Sequence, residues 1–242
     1  MAQPRYRASF YNEYFPPGVK WLLILNTVIF VLMVVVVRDH RGFLDFFALS
    51  ASGTLQSFRI WQPVTYMFLH GGFTHLLFNM LSLWMFGTQI ERDWGTRRFL
   101  RYYFMCGLAA AACVLVANAI VGDWRTPTIG ASGAIFGVLV AFGVLYPEQT
   151  ILMNFLFPIK AKYLVMIYAA IQLVTTFGPN TGVSTVAHLG GMAFGYLYLK
   201  GRLPHFKKLP EMGGIYRQWK MQRAKKKFQV YMRKHGNGPW VN

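Results

Sequence analysis

A serine and a histidine, Ser132 and His188, stand near the starts of two glycine-punctuated apolar runs. Ser132 lies in Gly130-Ala131-Ser132-Gly133-Ala134-Ile135-Phe136-Gly137, and His188 lies in Ala187-His188-Leu189-Gly190-Gly191-Met192-Ala193-Phe194-Gly195. A hydroxyl becomes a useful nucleophile when a neighbouring base takes its proton, and imidazole suits that task near neutral pH. Packing alone explains both groups poorly, because an unpaired polar group in oily surroundings is costly. The chemistry they suggest is hydrolytic acyl transfer within a bilayer, with Ser132 as nucleophile and His188 as general base. His75 and Asn79 are spaced i, i+4 and so share a helical face. Their ring and amide N–H groups, with the backbone N–H of Ser132 at a helix N-terminus, would stabilise a developing oxyanion. The same two residues also suit a plain polar link between helices. His70 reads as a loop or interface residue rather than a catalyst.

The elements that must position these groups are membrane helices. Of 242 residues, 55% are apolar and 14% charged, and the charges cluster between uncharged runs at 21–37, 73–90, 102–121, 131–146, 163–177 and 183–199. Spanning a bilayer takes about 20 apolar residues, or about 17 at the short end. The expected fold is all-α, a polytopic bundle of six transmembrane helices. No ten-residue alternating pattern appears, and an open sheet edge cannot be satisfied in lipid, so strands are not expected. Residues 151–159 either extend the fifth run or form an interfacial segment before it. The 21–37 run is read as a retained helix rather than a signal peptide, since Arg38-Asp39 follows with no small-x-small cleavage site. Cys106 and Cys113, seven apart on one run, cannot easily bridge and read as packing residues.

Charge sets the expected orientation. With six helices, one side holds Arg5, Arg7, Lys20, Arg92, Arg97, Arg98, Arg101, Lys160 and Lys162 before the tail, and the other holds only Arg38, Arg41, Arg59 and Arg125. Nine against four puts both termini in the cytoplasm. His75, Asn79, Ser132 and His188 then fall at a similar depth in the outer part of the membrane. Gly133 and Gly137 form one small-residue ridge just below the serine, and Gly191 and Gly195 another below the histidine. Such ridges let helices approach closely in lipid. Either motif alone fits helix packing and nothing more; both together, at matched depth, point to a site.

The stretches His70-Gly71-Gly72-Phe73-Thr74-His75-Leu76-Leu77-Phe78-Asn79, Gly130-Ala131-Ser132-Gly133 and Ala187-His188-Leu189-Gly190-Gly191, with Gly195, together resemble the rhomboid family of intramembrane serine proteases. The resemblance covers roughly residues 21–200. It implies that Ser132 and His188 work as a dyad, with His75 and Asn79 beside the oxyanion. No Asp or Glu lies in any of the six runs, so something other than an acid must orient His188. In some relatives a tyrosine one turn after the serine stacks on the histidine; here Phe136 keeps the ring without its hydroxyl. Family members often carry Trp-Arg in the first external loop, whereas this chain has Trp61-Gln62 with Arg59 nearby. The 91–99 segment, Glu91 to Phe99, fits the family's connection between the second and third helices. By resemblance, substrates are single-span membrane proteins with small or helix-weakening residues near the outer surface.

The chain thus divides into an N-terminal cytoplasmic segment, 1–20, a six-helix domain, 21–200, and a basic tail, 201–242. The tail carries eleven Lys or Arg against the single acid Glu211, with interleaved aromatic residues. It suits a segment lying on anionic headgroups, with a protein or RNA partner or a solvated tail as alternatives. The net charge of +17 reflects this tail and topology, so no nucleic-acid function is drawn from it. No Cys/His or acidic ligand cluster is present, so neither a metal nor an organic cofactor is expected. The 178–182 connection, Gly-Pro-Asn-Thr-Gly, suits either a mobile lid or a tight turn. A bacterial plasma membrane is expected, because no transit-like extension precedes the first run. A catalytically silent relative that binds membrane clients is the alternative; a small transporter fits less well without an intramembrane carboxylate relay.

Overall fold

The computed structural model describes residues 14–153, 157–176 and 183–201. All six apolar runs are helical within it. The first is α1 (Pro17–Val35), entered through a proline at its first turn, where no N–H bond is lost. The second run is one column in three pieces: α4 (Phe73–Ser82), a wide π-helical turn at Leu83–Gly87, and α5 (Thr88–Trp94). Then come α6 (Thr96–Val121), α7 (Ser132–Leu145), α8 (Ala161–Thr176) and α9 (Val183–Leu199). α1 and α6 are long and apolar enough to cross a membrane, while α7 and α8 are apolar but shorter.

α7 is the centre of the bundle. Glycine, alanine and branched residues line it on every side, and ten of its fourteen residues are buried against α6, α8, α9 and the α4–α5 column. The outward faces are apolar too: Val31 and Val35 of α1, Val116 and Ile120 of α6, and Met166 and Val174 of α8 are all exposed. An apolar exterior on this scale calls for a hydrocarbon surround rather than water.

The all-α expectation needs one correction. Residues 151–153 and 157–159 do not extend the following helix but form a strand pair before it. β1 (Thr150–Met153) pairs antiparallel with β2 (Phe157–Lys160), Ile151 opposite Ile159. The β-branched Thr150, Ile151 and Ile159 favour this, and Pro158 disfavours a helix through it. Glu148 accepts from Lys160 and Lys162 at the base of the hairpin, and these bonds hold its carboxyl down to about 2. A single antiparallel bridge, Leu49 to Thr128, is the other strand-like contact among the described residues.

The segment between α1 and α4 is cross-braced rather than loose. It contains α2 (His40–Phe47), a π-turn at Ser52–Gln56 and α3 (Gln62–Thr65). Gln62 is fully buried, its Nε2 donating to Asp45 O at 2.9 Å while its Oε1 accepts from Ser50 N and Thr54 Oγ1. A guanidinium has no acceptor and could not receive those two donors, so the Trp61-Gln62 pair is built for an amide. Arg59 pairs with Asp45 at 2.7 Å, and Trp61 Nε1 donates to Phe46 O at 2.8 Å.

Glu91, in the first turn of α5, is buried and caps the start of α1. It accepts from the backbone N–H groups of Gly18 and Val19, each at 2.7 Å, and from Thr96 Oγ1 at 2.6 Å. A carboxylate is well placed there, at the positive end of the α1 dipole. Glu91→Ala strands those donors, and the expected loss is about 2–3 kcal/mol of stability, read as a lower unfolding temperature in detergent. An unchanged transition would mean that water replaces the cap without cost. The 178–182 connection and the tail beyond residue 201 lie outside the described residues.

Candidate active site

The start of α7 is set by the residues before it. Thr128 is tied to Leu49 by two backbone bonds, and Gly130 N–H donates to Tyr66 O at 2.8 Å. Gly130 has φ +125°, a conformation that favours glycine, and a Cβ there would stand 2.9 Å from His75 Nε2. The chain therefore turns into α7 only at Ser132, whose N–H in the first helical turn has no intrahelical acceptor.

α9 brings His188 to that point. The glycines of both helices face each other: a Cβ on Gly191 would overlap the Gly133 carbonyl, and one on Gly195 would stand 3.2 Å from Gly137 Cα. On the α6 side, a Cβ on Gly133 would meet Ala110 Cβ at 2.6 Å, and one on Gly137 would meet Cys106 Sγ at 2.5 Å. All four glycines named from the sequence thus lie at close helix contacts. Tyr102 OH donates to Gly137 O at 2.8 Å, fastening α6 to α7. Both cysteines are free; Cys106 is buried here, and Cys113 faces Gly190.

At this crossing Ser132 Oγ stands 2.7 Å from His188 Nε2. Phe136 stacks on the imidazole, ring centroids 4.3 Å apart and planes at 26°, and Tyr168 of α8 meets Phe136 edge-on. His188 Nδ1 stands 2.8 Å from Gln172 Oε1 on α8. That partner was not singled out from the sequence. Its only signal is a lone amide inside the apolar stretch Ile171-Gln172-Leu173-Val174.

His75 and Asn79 sit on α4 across a cavity of about 600 Å³ that Ser132 and Phe136 also line. Tyr168 and Leu164 of α8 and Ile151 of β1 also line it. His75 Nδ1 accepts from Gly71 N–H at 3.4 Å, leaving Nε2 on the side of Gly130 and Ser132. Asn79 is buried and donates one amide hydrogen to His75 O at 3.0 Å, so the other remains for the cavity. His70 is a fully buried loop residue, edge-on to His75 with ring centroids 5.0 Å apart. The arrangement offers a hydroxyl against a ring nitrogen, with N–H donors across a cavity and no carboxylate beside them among the described residues.

The family model for the rhomboid domain matches residues 57–204. The chain is 28% identical over 185 residues to "RHOMBOID-like protein 12, mitochondrial" of Arabidopsis thaliana, covering 71% of this chain and 54% of that protein. It is 34% identical over 137 residues to "Putative rhomboid protease YdcA" of Bacillus subtilis (strain 168), covering 57% and 64%. It is 36% identical over 141 residues to "Rhomboid protein 1, mitochondrial" of Saccharomyces cerevisiae, covering 54% and 38%. The chain spans less than two thirds of the length of each of these relatives. Two of the three are named as mitochondrial, so the likeness does not support a bacterial plasma membrane over an organelle.

Proposed function

The chain belongs to the rhomboid family, whose members are integral-membrane helical bundles, and from that premise we propose that it is a serine endopeptidase that cuts membrane proteins within the bilayer. The observation that carries this reading is the 2.7 Å approach of Ser132 Oγ to His188 Nε2 beside a cavity of about 600 Å³. His188 takes the Ser132 proton as the hydroxyl attacks the substrate carbonyl, and the imidazolium then protonates the leaving amine. Water, deprotonated in turn by His188, releases the acyl group and restores the serine. The oxyanion of each tetrahedral intermediate lies against the N–H of Ser132, His75 Nε2–H and the free amide hydrogen of Asn79.

The length of α7 supports a sunken, wet site. Its 14 residues span about 21 Å, against a hydrocarbon thickness of about 30 Å. A helix that begins part-way down leaves room above Ser132 for the water that hydrolysis requires. With six crossings, the charge asymmetry supports both termini on the cytoplasmic side, or its equivalent in an organelle, and the site toward the other face. Substrates are single-span proteins whose helices unwind readily near that face, because a helical carbonyl is already hydrogen-bonded and shielded. The basic tail suits anionic headgroups on the cytoplasmic side.

A serine-directed phosphonate tests the assignment at low cost. It should label the wild-type protein and leave Ser132→Ala unlabelled, whereas a client-binding protein with an unactivated serine would stay unlabelled throughout. Asn79→Ala should reduce kcat by about 10²–10³-fold, a loss of about 2.7–4 kcal/mol in transition-state stabilisation, with KM little changed. A rate close to wild type would assign Asn79 to structure alone.

A further inference from the structure

Gln172 of α8 has no part in the steps above. It lies on a helix with an apolar outer surface, yet it is itself half-buried, and its Oε1 stands 2.8 Å from His188 Nδ1. An amide on a lipid-facing helix needs an internal partner, and here the partner is the imidazole. The turn that carries it is fixed, because Gln172 O accepts from the hydroxyls of Thr175 and Thr176 at 3.1 and 2.7 Å.

An acceptor oxygen facing Nδ1 makes a hydrogen bond only if Nδ1 carries the proton. That leaves Nε2 as a bare lone pair toward Ser132 Oγ, which is the tautomer able to take the serine proton. Phe136 fixes the plane of the ring by stacking, but an aromatic face cannot choose between tautomers. We propose that Gln172 is the positioning residue of His188, an amide that holds the imidazole in its Nδ1–H form where soluble serine hydrolases use an acid. The inference rests on the dyad reading of Ser132 and His188. Proton balance is simple. The serine proton moves to Nε2, Nδ1 keeps its own hydrogen throughout, and Gln172 accepts a hydrogen bond but never a proton.

The placement also links the base to the substrate cavity. Leu164, Tyr168 and Gln172 recur every four residues and share one stripe of α8, and the first two line the cavity. A segment lodged there bears on the same helix face that orients the base. α4, α6, α7, α8 and α9 carry no Asp or Glu, and their titratable groups toward the site include His75 on α4 and Tyr168 on α8. None of them is a carboxylate, so an acid introduced at position 172 is a clean electrostatic probe.

The test is cleavage of a single-span protein in liposomes as a function of pH, for wild type, Gln172→Leu, Gln172→Glu and Ser132→Ala, with thermal unfolding of each variant. Gln172→Leu should lower kcat on the order of 10–100-fold, as loss of a histidine's outer partner does, with KM within about twofold. Gln172→Glu keeps an acceptor and should restore kcat at high pH. Its carboxylate stabilises the imidazolium, so the acidic limb of kcat/KM should move to higher pH. A Leu variant with wild-type kcat overturns the inference. So does a loss that Glu fails to restore, or a Glu variant whose acidic limb stays in place, since either result marks a packing role. Cleavage surviving in Ser132→Ala would instead overturn the dyad reading itself, so the two failures are separable.

Discussion

Ser132→Ala is expected to lower kcat for cleavage of a single-span protein in liposomes by about 10⁶-fold, and His188→Ala by a similar factor. The reason is geometric. With Oγ 2.7 Å from Nε2, the hydroxyl and imidazole act as one unit, and removing either leaves the other without a role. The double variant should therefore be little worse than either single one, because residues that act as a unit lose activity only once. Any residual cleavage belongs to the oxyanion donors and to substrate binding. Both substitutions remove atoms without adding bulk, so unfolding temperature should change far less than activity. The measurement is product formed per unit time, with lipid and substrate held constant. Wild-type cleavage in either single variant would remove that residue from the mechanism and end the proposal.

Gly191→Ala is the second large effect, and it touches no reacting atom. Its new methyl would occupy the same space as the Gly133 carbonyl, which is backbone and cannot swing aside. α7 and α9 must then separate, and the serine and histidine they carry separate with them. A misplacement of about 1 Å in reacting groups can cost on the order of 10²-fold in rate, and overpacking costs about 1–3 kcal/mol in stability. Activity should fall at least that far, with a lower unfolding temperature. Gly72→Ala is the control: a Cβ there meets nothing within 4 Å, and its φ of 173° is ordinary extended backbone. If Gly191→Ala kept wild-type activity and stability, the glycine ridge would be no more than spacing.

Gly191 and Gly130 together show what a sequence can carry. Gly191 was legible because small residues four apart on an apolar helix leave a recognisable period. Gly130 carried no such period; its positive φ and its place under His75 follow from the turn that the Leu49–Thr128 bridge and Tyr66 O impose. The pairing of Thr150–Met153 with Phe157–Lys160 is hidden from the sequence for a related reason. Its strands are four residues each, too short for an alternating pattern to stand out from an apolar run.

By itself the sequence determined the helices, the charge asymmetry between the loops, and a serine and a histidine each set beside a glycine ridge. These are local properties, written in run length, residue size and spacing along one helix. The tertiary structure alone decided that Gln172 faces His188 Nδ1, that Glu91 caps a helix 72 and 73 residues away, and that Gln62 ties its loop together through an amide. Such partners meet only once the rotation and crossing of whole helices are set, and a lone Gln or Glu carries no periodicity that reports where its helix will turn.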